Sequence, residues 1–177
     1  MTGAAAEHTI YQHEDLLESL AEKLKTPILS LSDKITSLLD EQSRLILEIK
    51  QHQQQAIRAL AHELSAQEQM QGEISFIGAN VALSADALPE LADRLIATSP
   101  RVVVLAATSP DKVQLLVRVS PSAVQRGIKA VELIRAIAPL VDGSGGGKAD
   151  SAQAGGKKPA GIDQALDAAR QWLSHNT

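Results

Sequence analysis

Asp142-Gly143-Ser144-Gly145-Gly146-Gly147-Lys148-Ala149-Asp150-Ser151-Ala152-Gln153-Ala154-Gly155-Gly156-Lys157-Lys158-Pro159 holds six of the eleven glycines in this chain. Glycine lets a second backbone approach closely. Successive unobstructed N–H groups form an anion-binding concavity. Lys148, Lys157 and Lys158 add positive charge to the same stretch. The stretch therefore reads as a cradle for phosphate or for a folded polyanion. A flexible Gly/Ser linker is the competing reading. Against it, Ala152-Gln153-Ala154-Gly155-Gly156 is not low-complexity filler, and an amphipathic segment ending in Trp172 and Leu173 follows. A P-loop is excluded: Asp142 stands where its first Gly should be, and Ala149 replaces the Mg²⁺-binding hydroxyl. A dinucleotide fingerprint follows a strand, whereas this stretch follows an amphipathic run, Gly127 to Val141.

Outward from that stretch, composition sets bounds. The chain has 177 residues, 44% hydrophobic but only 2% aromatic, so its core is built from Ala, Val, Leu and Ile. It has no Cys, which excludes disulfides, Cys-based zinc sites and thiol nucleophiles and fits a cytoplasmic setting. No apolar run approaches the length of a membrane span. The net charge of −4 is uneven. Residues 1–72 carry six Lys and Arg against eleven Asp and Glu; residues 73–177 carry eleven against ten. A nucleic-acid surface on this chain is therefore a local patch and not a basic domain.

In chain order, Thr2 is a candidate cap for a first helix, with Ile10, His13, Leu17, Leu20 and Leu24 on one stripe. Pro27 ends it. Ser30 or Ser32 caps a longer helix whose seam is Ile35, Leu39, Gln42, Ile46, Ile49, Gln53, Ile57, Leu60 and Leu64. The first helix is expected to fold back over half of this seam. The rest, from Ile46 to Leu64, calls for a dimer partner or another domain. Gly72 is expected to end the helical region. Residues 73–177 then read as a strand around Ile74–Val81, a helix through Leu88–Ile96 and a strand at Arg101–Ala106. The turn Thr108-Ser109-Pro110-Asp111-Lys112 leads into a strand at Val113–Val119. A helix over Ile128–Ala138, the glycine stretch with a short strand at 152–154, and a last helix opened by Pro159 complete the order. The fold class is thus α/β (α+β), in two parts. Residues 1–72 are a long antiparallel helical hairpin or coiled-coil stalk, a candidate dimerisation element. Residues 73–177 are a compact β-α-β-β-α-(β)-α domain.

Gly145-Gly146-Gly147-Lys148 followed by Ala149 to Lys157, with Ile128-Lys129-Ala130 and Leu133-Ile134-Arg135 upstream, resembles the signature of the C-terminal domain of alanyl-tRNA synthetases. That domain is of the DHH-associated kind. Ser151, Ala149 and Val131 depart from the family's usual Met, Pro and Gly, and none of them removes a backbone donor. The resemblance covers residues 73–177, and more loosely the helices before them. It implies a non-catalytic tRNA-binding module that holds the outer corner of tRNA and links aminoacylation with editing in a parent ligase. The expected tRNA-binding set is Gly145, Gly146, Gly147, Lys148, Gln153, Gly155, Gly156 and Lys157, joined by Arg118, Arg126 and Lys129. Two alternatives stay open. One is a dimerisation or protein-interaction module. The other is the substrate-binding tail of a free-standing alanyl-tRNA editing protein or a DHH-type phosphoesterase.

The remaining chemistry is sparse. His8 and His13, or His52 and His62, lack the i, i+4 spacing of a helical metal pair. No cofactor, metal or catalytic residue is expected. Trp172 reads as a packing residue of the last helix, with base stacking as its functional alternative.

Overall fold

The computed structural model describes residues 3–96, 99–109 and 112–176. The expected Thr2 cap lies outside them, as do the central residues of the Pro110-Asp111 turn. The chain is mixed α+β, and its contacts divide it into two units at Gln53/Gln54. Helix α1 (Gly3–Leu24) and most of α2 (Leu31–Ala66) form the first unit.

Lys25 takes a left-handed backbone (φ 49°) and Thr26 N–H bonds back to Ala21 C=O, which closes α1. Pro27 precedes a 3₁₀ turn at Ile28–Ser30 that leads into α2. Only the last turn of α1 meets this turn. The expected fold-back of α1 along α2 is not made: Ile10, Leu17, Ile35, Leu39, Ile46 and Ile49 are each more than 40% exposed. A stripe shows that a helix face requires cover; it does not name what covers it.

The second unit, 54–177, takes in the end of α2. Ile57 is 1% exposed and Leu64 6%. This corrects the expectation that the seam beyond Gln53 waits for an outside partner. Its apolar residues are part of the core of the sheet domain. Fully burying a side chain of this size contributes about 1.5–3 kcal/mol. The sheet has six strands in the order β1-β2-β3-β4-β6-β5. They are β1 (Gln69–Gln71), β2 (Ile74–Val81), β3 (Arg101–Ser109), β4 (Lys112–Val119), β5 (Ser144–Gly147) and β6 (Ser151–Gly156). Gly72, at φ 60°, makes the β1–β2 turn and not the helix end expected of it. Strands β2 and β3 are parallel, joined through α3 (Leu88–Leu95), and the other pairs are antiparallel.

One sheet face is covered by α5 (Ala130–Ile137) and α6 (Ile162–Asn176). Val102, Val104, Leu115, Val117, Ala152 and Ala154 meet Leu133, Ile134, Ala165 and Ala169 there. Trp172 packs against this core, as its position on the last helix suggested. The other face is covered over β2 and β3 by α3 and by Ile57 and Leu64. The helix expected over 128–138 is α5, and a separate short helix, α4 (Pro121–Gln125), precedes it. Buried Ser120 caps α4 by accepting from Ala123 N–H, and its hydroxyl oxygen also accepts from Arg101 N–H at 2.9 Å. Arg101 donates further to Glu68, Ser75 and the Leu95 carbonyl. The hydroxyl of Ser75, together with Arg101 and against partial burial, holds the Glu68 carboxyl below the usual carboxylate range.

Candidate nucleic-acid interface

The glycine stretch is a β-hairpin at the edge of the sheet. Its register pairs Ser144 with Gly155, Gly145 with Ala154, Gly146 with Gln153 and Gly147 with Ala152. Strand β6 in turn pairs with β4: Gln114 with Gly155, Leu116 with Gln153, Arg118 with Ser151. Successive residues of a strand point to opposite faces. Ala152 and Ala154 point into the core under α5. Gln153, Gly155, Gly146 and Ser144 lie on the other face with Gln114 and Arg118. That face is the one α3 covers over β2 and β3, and here it is open.

Three cross-strand rows make up this open part. Gln114, Gly155 and Ser144 form the first, and Gln153 and Gly146 the second, whose β4 member, Leu116, is already buried in the core under α3 at 1% exposed. Arg118, Ser151 and Lys148 form the third, in which Lys148 N–H donates to Ser151 C=O at 2.7 Å. Gln114 Nε2 lies 3.5 Å from Gln153 Oε1. A shallow cavity at the third row is lined by Arg118, Gly146, Gly147, Lys148, Asp150, Ser151 and Gln153, so one carboxylate stands among its two cations.

The glycines serve two different purposes. A Cβ at Gly145 would lie 2.2 Å from the Gln153 carbonyl oxygen, and one at Gly147 2.3 Å from that of Ser151. At Gly156 it would lie 2.4 Å from the Val141 carbonyl oxygen. These three let the chain pack against itself. At Gly146 and Gly155 no atom lies within 4 Å of the Cβ position, and neither residue has positive φ. Glycine in a strand interior weakens it, and often marks where a ligand or another backbone approaches. The main chain adds to this. Because Lys148 and Ser151 form a hydrogen-bonded pair, the antiparallel alternation turns the N–H groups of Gly145 and Gly147 away from β6, off the free edge.

The expected set is only partly assembled. Gly145, Gly146, Gly147, Lys148, Gln153, Gly155 and Arg118 gather on this face and edge. Lys157 follows β6 at its other end, about 20 Å from the Lys148 end by strand rise. Gly156 is buried and structural. Lys129 precedes α5, where Ala130 N–H donates to Ala149 C=O, so its backbone abuts the hairpin turn while its amine pairs with Glu132 at 2.9 Å. Arg126 is not brought in: it pairs with Glu73, just before β2, on the far side of the strand order. Sequence reasoning missed Gln114, although the alternation Lys112-Val113-Gln114-Leu115 carried it. It also missed Asp93 of α3, which accepts from Arg118 Nε at 2.9 Å. Among the described residues no group of three or more His, Cys, Asp or Glu is placed to hold a metal, and no helix is long and apolar enough to cross a membrane.

The model of the DHHA1 domain family matches residues 73–175, which include β2 to β6 and the glycine hairpin, and the chain belongs to that family. It is homologous to the C-terminal, C-Ala, domain of alanyl-tRNA synthetases. The alanine–tRNA ligase of Hydrogenovibrio crunogenus is 35% identical over 179 residues, covering 98% of this chain and 20% of that ligase. The crystal structure of the C-Ala domain from Aquifex aeolicus alanyl-tRNA synthetase superposes with a TM-score of 0.56 at 30% identity, covering 60% of this chain and 97% of that one. RecJ from Thermus thermophilus, in complex with Mg²⁺, shares the fold at 17% identity and a TM-score of 0.54, covering 89% of this chain and 28% of that one. The chain spans about a fifth of the length of the curated relatives it matches most fully.

Proposed function

We propose that this chain is a non-catalytic tRNA-binding region of an alanyl-tRNA synthetase, acting in the cytoplasm without cofactor or metal. In this reading it holds the outer corner of tRNA(Ala) while other domains of the parent ligase aminoacylate and edit. The observation that carries the reading is the pair of open glycines. Gly146 and Gly155 leave a flat surface that nothing inside the protein requires, flanked by the charges of Arg118 and Lys148. Lysine and arginine against phosphates supply salt-dependent affinity. A side-chain-free floor admits the ribose-phosphate backbone closely.

The test is the tRNA dissociation constant across a salt series, with duplex DNA for comparison and the tRNA recovered chemically unchanged. Lys148→Ala should weaken binding moderately and reduce the log–log salt slope by roughly 0.9, because one phosphate fewer is neutralised. Lys157→Ala should do the same from the other end of β6. A parent chain that binds tRNA no better than duplex DNA would defeat the reading. A second reading rests on a separate observation, the uncovered stripe Ile35, Leu39, Ile46 and Ile49. It makes the helical segment a surface for self-association, compatible with tRNA binding by the sheet domain.

A further inference from the structure

The cations of the candidate interface are not equally available. Arg118 donates through both Nε and an Nη to the same oxygen of Asp93 on α3. Its side chain is 25% exposed, while the Asp93 side chain is 58% exposed. Arg118 thus stands at the seam between the covered and open parts of the face, and a carboxylate from the covered part already holds it. Lys148, by contrast, makes no ion pair among the described residues.

From this geometry we infer that Asp93 is a specificity-determining residue of the interface: it withholds Arg118 from polyanions that do not fit the glycine floor. The inference rests on the nucleic-acid reading of this face. A phosphate must displace or share the Asp93 contact to gain Arg118. A ligand seated on Gly146 and Gly155 reaches Arg118 with many contacts already made. A duplex touching the rim has only the rim charges to gain. Asp93 therefore penalises the generic polyanion more than the fitted one. Asparagine is the informative replacement, because its carbonyl oxygen keeps the acceptor for both Arg118 donors while the charge is removed.

The experiment compares the parent chain with Asp93→Asn, Arg118→Ala and the double variant. Each is titrated with tRNA and with a duplex DNA of similar charge at several salt concentrations, with thermal melting as the folding check. Asp93→Asn is expected to tighten DNA binding by about threefold to tenfold and to steepen its salt slope by roughly 0.9, one phosphate's worth. It should tighten tRNA binding by about twofold or less, so that the preference for tRNA falls. The double variant should match Arg118→Ala alone. The inference is overturned if Asp93→Asn leaves DNA affinity and slope unchanged, if the gain survives in the double variant, or if Arg118→Ala binds both ligands as the parent does. If Asp93→Asn lowers the melting temperature, Asp93→Ser supplies the same comparison. A parent with no preference for tRNA defeats the tRNA reading, and release of Arg118 is then still read on DNA.

Discussion

Gly145 and Gly146 are neighbours in one strand and have opposite reasons to be glycine. A side chain at Gly145 meets the Gln153 carbonyl and Ala154, both fixed by the pairing of β5 with β6. A side chain at Gly146 meets nothing. Gly145→Val should therefore destabilise the sheet domain by about 1–3 kcal/mol through overpacking. Gly146→Val should melt with the parent and lose tRNA binding. Urea melts and binding titrations on the two variants check both statements. If Gly146→Val folds and binds as the parent does, the open face is not the tRNA contact. The triplet itself was visible in the sequence, but the division of labour within it was not. Which way a glycine faces depends on strand register, and register here is set by the short turn between Lys148 and Ser151 together with the pairing of β6 with β4, which is non-local.

At the level of elements, the sequence showed most of the sheet. The β-branched run of β3 and the alternation in β4 marked themselves. Two elements resisted. Strand β1, Gln69-Met70-Gln71, has neither apolar alternation nor β-branched residues and exists because β2 offers it an edge. Helix α2 carries one continuous seam that serves two environments. Ile57 and Leu64 belong to the core shared with Ile77, Leu91 and Leu105, while Ile46 and Ile49 are exposed. Ile57→Ala should accordingly cost about 2–5 kcal/mol of stability. Glu at Ile46 and Ile49 together should leave stability almost unchanged and, on the self-association reading, shift the sedimenting mass toward monomer. A parent chain that sediments as a monomer at high concentration would end that reading.

For the molecule as a whole, the family's boundary and the packing boundary differ. The family match begins at residue 73, whereas the compact unit begins at Gln54. The difference is the end of α2 with β1, which covers the β2–β3 part of one face. Composition changes at Gly72, so reading the sequence places the boundary there. Packing extends past it because the sheet has two faces to cover and α3 alone spans part of one. A fragment of residues 54–177 should unfold cooperatively, at the temperature at which the same residues unfold in the parent chain. A fragment of residues 73–177 should melt lower and bind a hydrophobic dye, since it lacks Ile57 and Leu64. Equal melting of the two fragments would show that this cover contributes nothing.

The open edge at β5 is made of main chain, and this decides how it responds to experiment. Truncating side chains, as an alanine scan does, has nothing to remove at Gly145, Gly146 or Gly147, so such a scan registers the lysines and arginines around the site and passes over its centre. Only changes that add atoms interrogate it. Peptide groups also do not titrate, so the part of the affinity they supply stays constant over the pH range in which the fold persists. Any pH dependence of binding belongs to the rim charges or to the ligand.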